Sequence, residues 1–170
     1  SQHYHAGFAK HLSQHGIIGV TWDMQWRGAA CKADQNSALL CELCTAVCTR
    51  ILSPSAATPF SYQVVLVGFS AGAGVVIAAA HQLQFQVQLS GVLLLDAVPG
   101  SVPADTVPNT GVLSLRGDPS IWNKFGAAAS TTLRRVRDVR VLKAMHADFE
   151  WPVEYDTEQT VPGCFDRCLG

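Results

Sequence analysis

The sequence predicts an α/β domain, a three-layer sandwich built on a mostly parallel sheet. Short runs such as Val64-Val65-Leu66-Val67 are apolar throughout rather than alternating in and out, as strands buried on both faces are. These runs alternate with stretches of helical periodicity, the order that right-handed crossovers between parallel strands require. The whole chain has 170 residues, the length of a single domain, here taken as residues 1–170.

Taken in order, a helix is expected from Tyr4 to Gln14, with Gly16 as its stop signal. A buried strand follows from Ile17 to Trp22. A second helix runs from Ser37 to Leu52, with Asn36 or Ser37 as its N-cap. Residues 54–61 form a polar connector. Gln63 to Gly68 is the next strand, and Ala71 to Gln84 is a helix rich in small residues. Further strands are expected from Val92 to Leu95, from Gly111 to Leu115 and from Arg140 to Ala144. A weak helix covers Asn123 to Thr132, and a closing turn holds Cys164 and Cys168. In such a sheet the carboxyl ends of the strands, and any site they carry, share one edge.

Composition narrows the functional classes. Apolar residues make up 48% of the chain and charged residues 15%, enough apolar surface to offset the entropy lost on folding, so intrinsic disorder is excluded. A net charge of −1 argues against nucleic acid as a partner. No apolar run reaches the roughly 18–20 residues of a membrane-spanning helix. Typical domains carry about 25% charged residues. The lower fraction here suggests that more than one face is covered by a partner chain or by further polypeptide. Ser1 to His5 lack the charged start and apolar stretch of a signal peptide, and the sequence opens without Met, so a processed or incomplete chain is expected. Six cysteines are too few for a scaffold held by disulfides alone and leave the redox compartment open.

The sharpest motif is Gly68-Phe69-Ser70-Ala71-Gly72, a G-x-S-x-G between an apolar strand and a helix. A nucleophile on such a tight turn needs glycine or a very small residue two positions to either side. The turn lifts the Ser70 hydroxyl clear of the sheet at the amino end of the helix, where the Ala71 N–H and the helix dipole meet a developing oxyanion. The competing explanation is a glycine-rich turn with an incidental serine.

A serine nucleophile needs a base and an orienting acid, which follow it in the chain in this arrangement. His81 falls within the helix after Ser70, which leaves His146, just beyond the last strand, as the base. Two acids are open: Asp96 ends one strand in Leu95-Asp96-Ala97-Val98-Pro99-Gly100, and Asp118 follows the next in Arg116-Gly117-Asp118-Pro119. Either also reads as a turn residue.

These pieces resemble the α/β-hydrolase superfamily, and within it the branch of chlorophyllase-like and platelet-activating-factor-acetylhydrolase-like enzymes. The matching segments are Gly68 to Gly72, Leu95 to Gly100 and His146. In that branch the acid follows the strand immediately after the nucleophile helix, which implies Asp96. Cutinase-like and many lipase-like relatives carry it one strand later, which implies Asp118. The first helix and strand here are similar to those that follow the family's oxyanion-loop strand. The resemblance therefore implies that this strand, its loop with the second oxyanion donor and the earlier strands lie outside the sequence. The edge from Ile17 to Trp22 would then be covered by that segment or by a partner chain.

The implied function is hydrolysis of a carboxylic ester with an apolar moiety, through Ser70, His146 and Asp96, with no cofactor and no metal. Phe69, Trp22 and Trp26 are candidates for lining an apolar pocket. The rival is a non-catalytic, hydrolase-fold structural or binding subunit of a larger assembly. A third reading, a redox or metal protein, rests on Cys41, Cys44 and Cys48, which share one helix face and are more simply its buried stripe. The pair His11 and His15 reads as a polar helix face, and Arg134, Arg135, Arg137 and Arg140 as a solvated segment.

Overall fold

The computed structural model describes residues 2–22, 26–27, 30–31, 33–52, 62–98, 110–120 and 136–149. Their framework is a four-stranded parallel sheet with helices, an α/β arrangement. Helix α1 spans Gln2–Gln14 and α2 spans Ala33–Ala46, continued by a wider π-helical stretch over Val47–Leu52. A small antiparallel pair joins β1 (Trp26–Arg27) to β2 (Ala30–Cys31). The main sheet follows as β3 (Val64–Phe69), β4 (Leu89–Leu95), β5 (Val112–Arg116) and β6 (Val136–Arg140), adjacent in that order, with α3 (Gly72–Leu83) crossing from β3 to β4.

The two sheet faces are packed differently. Leu66, Val92, Leu94 and Val112 share one face and are buried against α3, whose Ala73, Val75, Ile77, Ala79, Ala80 and Leu83 are fully covered. Small side chains along α3 let it lie close to the sheet. Cys41 of α2 and Cys48 of its π-helical continuation pack into this core and are free thiols. Cys44 is partly buried beside them, so the three cysteines form the inner stripe of this continuous helical stretch. Among the described residues no cluster able to hold a metal is present. On the opposite face Phe69, Leu93, Leu95 and Leu115 meet Val141, Ala144 and Phe149 at the carboxyl end. Nearer the amino end of that face, Val65 and Val67 of β3 remain 55% and 38% exposed.

Several elements depart from the sequence expectation. Residues 17–22 form no strand; Ile17, Ile18 and Val20 are at least half exposed. A strand exists only where a neighbour completes its hydrogen bonds, and no described strand lies beside this segment. It turns back on α1 instead: Gly16 takes a left-handed φ of 73°, and the Ile17 N–H bonds the Leu12 carbonyl at 3.1 Å. Gly19 then presses so close to Ala9 that a Cβ there would sit 2.8 Å from the Ala9 Cα. Asn36 and Ser37 do not cap α2. The helix begins at Ala33, both are buried within it, and the Ser37 hydroxyl donates back to the Asp34 carbonyl at 2.8 Å.

The last strand lies at Val136–Arg140, ahead of the apolar Val141-Leu142 that suggested a later start. At the sheet edge, pairing with β5 outweighs hydrophobicity. Arg116 and Asp138 form an ion pair across β5 and β6, with Nε to Oδ1 at 2.9 Å and Nη2 to Oδ2 at 2.6 Å. Of the arginine run, Arg137 and Arg140 lie on β6, while Arg134 and Arg135 fall outside the described residues, as do the expected helix from Asn123 to Thr132 and the segment of Cys164 and Cys168. No helix among the described residues is long and apolar enough to cross a membrane.

Candidate active site

Ser70 sits between the last residue of β3 and the start of α3, with a φ of 52°. The left-handed region disfavours side chains other than glycine by roughly 1–2 kcal/mol, so the neighbours must enforce it. They do so at three points. The Ser70 N–H continues the sheet ladder to the Leu95 carbonyl at 2.9 Å. Its carbonyl accepts from Ala73 at 3.2 Å and from Val98 at 3.4 Å. Gly68 lets α3 close over the turn: a Cβ there would stand 2.5 Å from Val76 Cγ2 and 2.8 Å from the Gly72 carbonyl oxygen. The first glycine of the G-x-S-x-G motif is therefore a steric requirement of the bend. Ala71 occupies the cap position of α3 and supplies no capping side chain.

Asp96 ends β4 one strand away. It is fully buried, has a φ of 41°, and its N–H bonds the Leu115 carbonyl at 2.8 Å. Its two carboxyl oxygens serve different partners. Oδ2 lies 2.6 Å from His146 Nδ1, and Oδ1 accepts from the Gly117 N–H at 2.9 Å. His146 opens a short 3-10 turn, His146–Phe149, and its side chain is 16% exposed. The imidazole also lies against Phe69, the residue before Ser70, with ring centroids 4.7 Å apart and planes tilted by 35°. Parallel strands in register bring these groups to one edge, since Phe69 pairs with Leu95 and Leu95 with Leu115.

Asp118 meets other partners. Its carboxylate accepts from Arg140 Nη2 and from the Lys143 N–H, each at 3.0 Å. Of the two acids open in the sequence, the structure joins Asp96 to His146 and ties Asp118 to the chain that leads into His146. Trp22 packs against the main core instead of beside His146. The Trp26 side chain lies outside the described residues.

Gly117 reads in the sequence as no more than a turn residue, yet its N–H holds Asp96, and a Cβ on it would be 2.6 Å from the Ala144 carbonyl oxygen. A glycine between a strand end and an aspartate was the available signal. A groove of about 640 Å³ between α2 with its π-helical continuation and α3 is lined by residues such as Glu42, Thr45, Arg50 and Gln86 and includes none of Ser70, Asp96 or His146. No family model, curated protein or solved structure matches this chain.

Proposed function

We propose that the protein is a serine hydrolase of the α/β-hydrolase type, acting on a carboxylic ester with an apolar moiety. The observation that carries this reading is the buried Asp96 carboxylate 2.6 Å from His146 Nδ1, whose imidazole lies against Phe69, the residue before a serine held in a left-handed bend at a helix start. A glycine-rich turn with an incidental serine has no need of such an imidazole–carboxylate pair.

Asp96 as a carboxylate accepts the Nδ1 proton of His146 and so leaves Nε2 free to act as the base. Nε2 takes the Ser70 proton as Oγ attacks the ester carbonyl, and returns it to the departing alcohol. The first-turn N–H groups of α3, Ala71 among them, face the oxyanion with the positive end of the helix dipole. Water then attacks the acyl-serine by the same route in reverse, releasing the acid. Phe69 beside the imidazole, with Leu142 and Met145 exposed nearby in sequence to His146, supports an apolar substrate portion. The resemblance to chlorophyllase-like enzymes points the same way, and this chemistry calls for neither metal nor organic cofactor.

A second reading, a non-catalytic binding subunit, is favoured by the exposed Val65 and Val67 on the strand that leads into Ser70. One experiment separates the two. A fluorophosphonate probe is expected to label the wild-type protein at Ser70, and Ser70→Ala to lose both labelling and hydrolysis of p-nitrophenyl butyrate. Intact protein that resists labelling and shows no hydrolysis supports the binding subunit, and full hydrolysis by Ser70→Ala refutes the triad.

A further inference from the structure

We propose that Asp118 is a positioning residue for His146, a role that rests on the hydrolase reading above. Gly117 and Asp118 are consecutive, and between them they grip both members of the imidazole–carboxylate pair. Gly117 donates its N–H to Asp96 Oδ1 at 2.9 Å. Asp118 takes hold of the chain that delivers the imidazole. Its N–H donates to the Ala144 carbonyl at 2.6 Å, its Oδ2 accepts from the Lys143 N–H at 3.0 Å, and its Oδ1 accepts from Arg140 at 3.0 Å.

The clasp falls where the backbone is least willing. Lys143 has a φ of 64°, the left-handed region that disfavours a lysine, three residues before His146. The Asp118 carboxylate accepts the N–H of that same residue. Ala144 is fully buried beneath the turn, so the strap has a fixed floor as well as a tether. The Arg140 ion pair is 46% and 41% exposed, and exposed pairs contribute little. The work of Asp118 is therefore done through Lys143 and Ala144: it holds the strap at the one height from which His146 Nδ1 reaches Asp96.

The test compares Asp118→Ala, Asp118→Asn and the double variant Asp118→Ala/Lys143→Gly. The readouts are steady-state hydrolysis of p-nitrophenyl butyrate and the low-field proton resonance of a histidine Nδ1–H bonded to a carboxylate. A displacement near 1 Å lowers turnover by about 10²-fold. Asp118→Ala is therefore expected to lose about that factor in kcat with little change in KM, and to lose the resonance. Asp118→Asn keeps an acceptor oxygen for Lys143 and is expected to retain most of both. In the double variant glycine adopts the left-handed turn unaided, so kcat and the resonance recover, an outcome general destabilisation would not produce. Asp118→Ala with wild-type kcat and an intact resonance overturns the proposal, as does a double variant no better than Asp118→Ala. Should Asp118→Ala fail to fold, equal losses in Asp118→Asn and Asp118→Ala/Lys143→Gly overturn it. The resonance is read without substrate, so a protein lacking Ser70-dependent hydrolysis sinks the hydrolase reading while the resonance still judges the clasp.

Discussion

Replacing Gly117 by alanine pushes a methyl group into the turn that leads to His146. The new Cβ would stand 2.6 Å from the Ala144 carbonyl oxygen and 3.1 Å from Phe149 Cε2, where ordinary contact begins at 3.4 Å. The Ala144 oxygen must therefore retreat by 3.4 − 2.6 = 0.8 Å. It is a backbone atom on a fully buried residue, so it cannot rotate aside as a side chain would. Gly117 has no left-handed φ, and the effect is steric rather than conformational. Overpacking of this kind costs about 1–3 kcal/mol. In a chain of this size that lowers the melting temperature by roughly 2–12 °C. The same retreat stretches the bond from Asp118 to Ala144 from 2.6 Å toward 3.4 Å and carries His146, two residues on, away from Asp96. Turnover should then fall by about 10²-fold, well beyond what the loss of folded protein explains. Calorimetry and ester hydrolysis by Gly117→Ala, measured below its melting point, check both parts. Wild-type turnover in a protein that melts normally would show that the Gly117–Ala144 approach does not set the position of His146.

Ser70→Gly removes the side chain from a backbone held at a φ of 52°, and is expected to raise the melting temperature by about 2–4 °C, for a gain near 1 kcal/mol, while abolishing fluorophosphonate labelling. A lowered melting temperature would mean that the bend is unstrained. The Cys44 thiol is pushed up from 9.0 to about 12, first by burial and then by the neighbouring Cys48 and Cys41. A thiol that holds its proton more tightly when folded contributes stability present below pH 9.0 and lost as the pH climbs toward about 12. Denaturant titrations between those limits should show falling stability in the wild type and a flatter curve in Cys44→Ala; parallel curves would remove Cys44 as the cause. At neutral pH the same thiol should alkylate far more slowly with iodoacetamide in the folded protein than in urea.

The parts of the site that local sterics dictate were legible in the sequence. A serine flanked at two positions by glycine, after an apolar run and before small residues, admits few backbones other than a tight bend between strand and helix. The continuously apolar run through Val64 to Val67 likewise announced a strand in a parallel sheet, although Val65 and Val67 are exposed where burial on both faces was expected, and the glycine after α1 marked its end. What the sequence left open was decided by pairing. Whether a segment becomes a strand depends on who lies beside it. That is why the apolar residues 17–22 pair with no strand among the described residues, and why the charged Val136–Arg140 joins the sheet through Arg116 and Asp138.

The choice between Asp96 and Asp118 was of the same kind. Both end parallel strands, and nothing in their local sequence says which faces an imidazole 50 or 28 positions further along the chain (146 − 96 and 146 − 118). The sheet register brings the end of β4 between β3 and β5, so the buried Asp96 lies inside the edge where Phe69 and His146 meet. Asp118, one strand further out, faces the turn that holds them. Sequence alone determined the bend that raises Ser70 and the alternation of strand and helix, because both follow from contacts between residues close in the chain. Only the tertiary structure decided which carboxylate the histidine meets, because that bond joins groups set side by side by strand order rather than by sequence.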